Sequence, residues 1–131
     1  AKASMHASLA VVEKKLKRAA LIDSRAPARY RGESEPIDPV AGRIPGAKNR
    51  FNNDNLSAEG VFKSPESLRA DFEAVLAGRT PGEVIHYCGS GVAACHNALA
   101  MEIAGLAGSR VYIGSWSEWS ADPARPISRS A

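Results

Sequence analysis

Cysteine is scarce in this 131-residue chain, and its two copies, Cys88 and Cys95, exclude a disulfide framework. One ends an expected strand and the other lies two turns into the next expected helix, beyond the roughly 7 Å Cα limit for a bridge. Two thiols point to a reducing compartment, and the expected location is cytoplasmic. No apolar run approaches the roughly 20 residues of a membrane span, so no membrane partner is expected. Residues 1–10 lack the basic stretch and apolar segment of a secretory signal. Aromatic residues make up only 6% and are not interleaved with a basic stripe, which argues against nucleic acid. Charge of one sign is also in short supply: 17 Lys+Arg against 14 Asp+Glu leave +3, clustered only at Lys14-Lys15-Lys17-Arg18 and Lys48-Arg50. Such a mild excess suits a small anionic substrate. Internal repeats and low-complexity stretches are absent too.

What is present fits one domain with one core, at 44% hydrophobic residues. Residues 1–8 are read as a leader or linker, 9–127 as the domain and 128–131 as a tail. Apolar spacing predicts a short helix from Ala10 to Ala19 and a buried strand at Ala20-Leu21-Ile22-Asp23. The stretch from Ala26 to Gly46 holds prolines 27, 36, 39 and 45 and reads as a long tethered loop, a common place for function. A short strand at Ala47 to Phe51 follows. Ser64-Pro65-Glu66 starts a helix that Gly78 ends. Val84 to Tyr87 is the central strand, and Val92 to Leu106, small and apolar nearly all round, is the helix expected to be most buried. Val111 to Ile113 is a further strand, and Ser115 to Ser120 a short helix carrying Trp116 and Trp119. Strands alternating with helices mean a layered α/β sheet, mostly parallel.

The segment Cys88-Gly89-Ser90-Gly91-Val92-Ala93 lies between the central strand and that helix. First-turn amides of a helix have no partner within it, and the positive end of the helix dipole faces whatever precedes it. Glycines at 89 and 91 let successive amides turn inward as an anion-binding nest. A thiol placed there is favoured as thiolate, so Cys88 is read as a nucleophile. Cys95 is read as a buried helix residue. A metal site from His86, Cys88, Cys95 and His96 fails on ligand spacing; both histidines are read as core or surface residues, and no metal or cofactor is expected.

On these residues the chain resembles the rhodanese family of sulfurtransferases, in particular the C-terminal catalytic half of two-domain thiosulfate/3-mercaptopyruvate sulfurtransferases. Five pieces come in the family order: Leu21-Ile22-Asp23-Ser24-Arg25, Arg29-Tyr30-Arg31-Gly32, Ile44-Pro45-Gly46-Ala47, the Cys88 loop, and Gly114-Ser115-Trp116-Ser117-Glu118-Trp119. The resemblance implies a rhodanese-like domain whose mostly parallel central sheet is flanked by helices. It implies that sulfane sulfur passes from a small anionic donor to Cys88, and from its persulfide to a thiophilic acceptor such as cyanide or a thiol. Amides of Gly89 to Ala93 would hold the outer sulfur, Ser90 would bond a donor group, and Arg29 would bind the donor's anionic end. An N-terminal rhodanese-like domain outside this chain is implied as well. Asp23 and Arg25 are read as a structural pair.

The loop resembles the mercaptopyruvate-type pattern, with Ala93 in place of threonine. Arg43 replaces the usual histidine before Ile-Pro-Gly, and Ile37 stands where many such enzymes carry a second substrate arginine; Arg31 or Arg43 are the candidates to compensate. Two other functions compete: a sulfur-carrier or binding module without turnover, and a cysteine phosphatase. The phosphatase motif needs arginine six residues after the cysteine, where this chain has Ala94.

Overall fold

Residues 6–16, 18–89 and 92–129 are described by the computed structural model. Lys17, Ser90 and Gly91, together with 1–5 of the expected leader and 130–131 of the expected tail, lie outside the described residues. Among the described residues, β1 (His6–Ala7), β2 (Ala20–Asp23), β3 (Lys48–Asn49), β4 (Val84–Tyr87) and β5 (Arg110–Tyr112) form one sheet. Its order is β1-β5-β4-β2-β3 and neighbouring strands are parallel throughout. The helices are α1 (Leu9–Lys14), α2 (Pro27–Tyr30), α3 (Pro65–Leu76), α4 (Val92–Ile103) and α5 (Ser115–Trp119).

A parallel sheet needs cover on both faces, and β4 is buried at all four positions. Successive side chains alternate between the two layers. Ile85 and Tyr87 join Val12, Ile44, Trp116 and Trp119 on the α1/α5 side. Val84 joins Leu68, Phe72, Leu76 and Met101 on the α3/α4 side. Both tryptophans are thus core residues. Helix α3 starts where the sequence predicts: the Ser64 hydroxyl accepts from the Ser67 amide at 3.1 Å, with Pro65 in first place.

Several elements differ from expectation. The residues read as a leader include β1, which pairs with β5; two residues are too few for an alternation pattern. Helix α1 stops at Lys14, and β3 keeps only two residues of the expected strand. The long loop contains α2, whose four residues are too short for a helical repeat. Ala77 caps α3 in the left-handed region, one residue ahead of Gly78. Helix α4 ends at Ile103 and is not buried all round: Val92 is 77% exposed and Leu99 52%. Cys95 is likewise exposed, not buried as expected. A helix of mostly small apolar residues, whose polar Asn97 is itself buried, carries no clear mark of which face meets solvent. At the other end of the chain, Ser128 pairs backbone to backbone with Arg43, drawing the expected tail onto the domain.

His86 on β4 is fully buried, and neither ring nitrogen has a hydrogen-bond partner among the described residues. Burial pushes its pKa from 6.5 down to about 3. The unfolded chain therefore binds a proton between those values that the folded chain refuses, and stability falls as pH drops below 6.5. The expected loss is roughly 1.4 kcal/mol per pH unit. Urea midpoints between pH 7 and 4.5, above the window where Glu35 loses its charge, measure it. His86→Met should flatten the profile; an equally steep profile in that variant would reject the assignment.

Candidate active site

Strands β2 and β4 run in register, with Asp23 beside Tyr87. The residues that follow, Ser24-Arg25 and Cys88-Gly89, therefore leave the sheet together at its carboxyl edge, where open parallel sheets bind ligands. The Ser24 amide donates to the Tyr87 carbonyl at 2.8 Å and closes this edge. Above it lies a cleft of about 430 Å³, whose walls include Arg25, Arg29, Cys88, Gly89, Ala93 and His96.

Cys88 sits at the cleft floor, 2% exposed, against Ala93, Ala94, Ala98 and Val111. Small residues on α4, Ala93, Ala94 and Ala98, let the helix pack directly against the thiol. Helix α5 straps the loop from the other side. Ser115 Oγ accepts from the Cys88 amide at 3.0 Å and donates to the Tyr112 carbonyl at 2.8 Å. The Trp116 and Ser117 amides donate to the Cys88 and Gly89 carbonyls at 2.8 and 3.0 Å. Ser115 does this at φ 53°, a left-handed conformation costly for a residue with a Cβ and characteristic of functional sites.

One glutamate positions both arginines. Arg25 is held by Asp23 at 2.7 Å and by Glu35 at 3.2 Å, as the expected structural pair and more. It also donates to the Gly42 carbonyl and lies over the Trp116 ring, 5.0 Å from its centroid. Arg29, on α2, bonds the other Glu35 oxygen at 2.9 Å and faces Asp38 at 3.8 Å. Burial pushes the Glu35 carboxyl up, but hydrogen bonds from the Asp38 amide and Arg29 outweigh it and hold its pKa below the usual glutamate value. Gly89 matters by proximity: a Cβ there would meet the Arg29 guanidinium at 3.0 Å and push that side chain aside by a few tenths of an ångström.

Among the expected site residues, Cys88, Gly89, Val92, Ala93 and Arg29 line this one cleft. Ser90 and Gly91 fall outside the described residues. Arg31 and Arg43 do not line it. Arg31 pairs with Glu33 at 3.0 Å on the surface, and Arg43 lies over the Tyr30 ring, 4.4 Å from its centroid, with its backbone tied to Ser128. Ile37 does face the cleft. Sequence reasoning gave no role to Glu35 or Asp38 and none of their own to Ser115 and Ser117, which it quoted only as part of the resemblance. The fold brings all four to the loop, and His96, read as core or surface, lines the cleft. Among the described residues, no group of three His, Cys, Asp or Glu is placed to hold a metal ion, and no helix is long and apolar enough to cross a membrane.

The Rhodanese-like domain family matches residues 8–122. A protein of Pseudomonas aeruginosa named as a probable 3-mercaptopyruvate sulfurtransferase is 56% identical over 108 residues, which are 82% of this chain and 38% of that protein. The thiosulfate sulfurtransferase of Bos taurus is 43% identical over 106 residues, 79% of this chain and 35% of that enzyme. The chain thus spans little more than a third of the length of these relatives. Among solved structures, the anaerobic ergothioneine biosynthesis enzyme from Chlorobium limicola superposes with a TM-score of 0.85 at 23% identity, over 98% of this chain and 32% of that one, a likeness of fold. Fold, cleft and sequence agree: the chain belongs to the rhodanese-like domain family, among relatives named sulfurtransferases.

Proposed function

We propose that this domain transfers a sulfane sulfur from a small anionic donor, through a persulfide on Cys88, to a thiophilic acceptor such as cyanide or a thiol. The observation that carries the reading is Cys88 on the floor of a cleft whose wall holds Arg29. In the first half-reaction the Cys88 thiolate attacks the donor sulfur and an S–S bond forms. The bond between that sulfur and the rest of the donor breaks, its electron pair leaving with the donor remnant; a keto acid leaves as an enolate and takes up a proton. In the second half, the acceptor attacks the outer sulfur and the Cys88 thiolate departs. Loop amides stabilise the charged sulfur as oxyanion-type donors do.

For the donor we favour 3-mercaptopyruvate over thiosulfate. Asp23, Glu35 and Asp38 already face Arg25 and Arg29, so this wall has no surplus positive charge for a dianion. A keto acid needs only one carboxylate site, and the planar Arg29 fork suits it. The chemistry requires a reduced thiol, which fits a reducing compartment, the cytoplasm. In the whole protein we place an N-terminal rhodanese-like domain beside this one, in keeping with the share of its relatives that the chain spans.

Single-turnover loading of Cys88 with each donor, read by mass, tests the reading. Arg29→Ala should raise the apparent KM for 3-mercaptopyruvate about tenfold, the loss of one charge-assisted hydrogen bond. Discharge of preformed persulfide to cyanide should stay within about twofold. Equal damage to both halves would make Arg29 structural, and loading without any turnover would favour the carrier-module alternative.

A further inference from the structure

We infer that His96 is a second anion-recognition residue of the cleft, presenting Nε2–H to an oxygen of the small donor that Arg29 binds. The anion's identity rests on the sulfurtransferase reading; the recognition itself does not. His96 lines the cleft from α4, and its ring stacks on Phe62 with centroids 4.9 Å apart. Its Nδ1 lies 3.1 Å from Asn55 Nδ2. Which of these two atoms donates is decided farther away, by groups that have no choice.

Arg50 Nε can only donate, and it reaches Asn55 Oδ1 at 3.1 Å, which puts the Asn55 amide nitrogen on the His96 side. A second, independent constraint agrees. Asn97 Nδ2 donates to the Arg50 carbonyl, which can only accept, and to Ser24 Oγ, both at 2.8 Å. Asn97 Oδ1 is therefore the atom facing Asn55, and it accepts from Asn55 Nδ2 at 2.7 Å. One hydrogen of that amide goes to Asn97 and the other to His96 Nδ1. His96 Nδ1 is an acceptor, so the proton of the neutral ring sits on Nε2.

Asn55 and Asn97 are both fully buried. Burying amides brings no gain over apolar packing unless every partner is matched. Here the matched network ends on one half-buried ring and sets its tautomer, as partners of one ring nitrogen do for the other. A neutral donor of this kind complements Arg29, whose charge is shared with Glu35 and Asp38. It adds affinity for a carboxylate or keto oxygen without adding charge that would favour a dianion.

The test uses Cys95→Ser as background, removing the exposed thiol, and compares alkylation of Cys88 by anionic iodoacetate and neutral iodoacetamide. His96→Asn retains an acceptor for Asn55 but is too short to present a donor to the cleft. It should lower the iodoacetate-to-iodoacetamide rate ratio about fivefold to tenfold, and raise the donor KM similarly with persulfide discharge unchanged. His96→Gln, which can again present an N–H, should restore most of the ratio. Nitrogen-15 NMR of the unsubstituted protein should show the Nε2–H tautomer, a readout that does not depend on any variant folding. A Nδ1–H ring, or an unchanged ratio, overturns the inference. If the ratio falls but no donor loads sulfur, anion recognition by His96 stands and the sulfurtransferase reading fails.

Discussion

Cys88→Ser is expected to abolish sulfur transfer from every donor, by a factor on the order of 10³ or more, with the fold intact. Serine matches the thiol in size closely enough to keep the contacts with Ala94, Ala98 and Val111. Its backbone also leaves the bonds to Ser115 and Trp116 in place. What it loses is the polarisable nucleophile, since a hydroxyl is not ionised at neutral pH and cannot form a persulfide. Cys95 is the internal control: exposed on α4, it lines a separate apolar groove with Leu99 and Ile113. Mass mapping after incubation with donor should place the added sulfur on Cys88 and leave Cys95 unlabelled. Transfer surviving in Cys88→Ser, or label on Cys95, would reject the assignment.

The second large effect falls on stability. Arg25→Met should cost about 3–5 kcal/mol, the range for breaking a buried ion pair from one side. Asp23 is wholly buried, and without the Arg25 side chain its carboxylate keeps the backbone amide of residue 25 at 2.9 Å and the Tyr87 hydroxyl, but no cation among the described residues. Glu35 loses a partner at the same time, and the Gly42 carbonyl loses its donor. For a chain of this size the melting temperature should fall by about 10–20 °C. Exposed pairs are different in kind. Arg69 and Glu73 are about half exposed at 3.1 Å, and Arg69→Ala should cost no more than about 0.5 kcal/mol. Urea unfolding of both variants makes the comparison. A loss below about 1 kcal/mol for Arg25→Met would mean that water or neighbouring groups compensate the carboxylate.

Central elements were legible because each left a local pattern. The short run Val84-Ile85-His86-Tyr87 of β4 followed by Cys88 and glycines announced a strand-to-helix turn, and the Ser64-Pro65 start of α3 rests on one cap hydrogen bond. β1 and α2, of two and four residues, carry too little periodicity to be read, and β3 was placed but drawn too long. The exposed face of α4 was illegible for the opposite reason. Alanine-rich helices look alike on every side, and only contact with β4 and β5 decides that Ala94 and Ala98 turn inward while Cys95 and Leu99 face out.

Local pattern in the sequence was enough to give the α/β class and to single out Cys88 as a candidate nucleophile, and the family resemblance singled out Arg29; the fold brings these two side chains to one cleft. Sequence could not assign Arg31 and Arg43, since an arginine's charge is the same whether it meets Glu33, an aromatic ring or a substrate. Tertiary structure alone decided that Glu35 grips two arginines, that Ser115 pins the Cys88 amide, and that Arg50, Asn97 and Asn55 orient His96. These bonds, with those that orient Asn97, join residues up to 73 positions apart. Hydrogen-bond donors and acceptors acquire a role only when folding brings a complementary atom within about 3 Å, and no local pattern records that meeting.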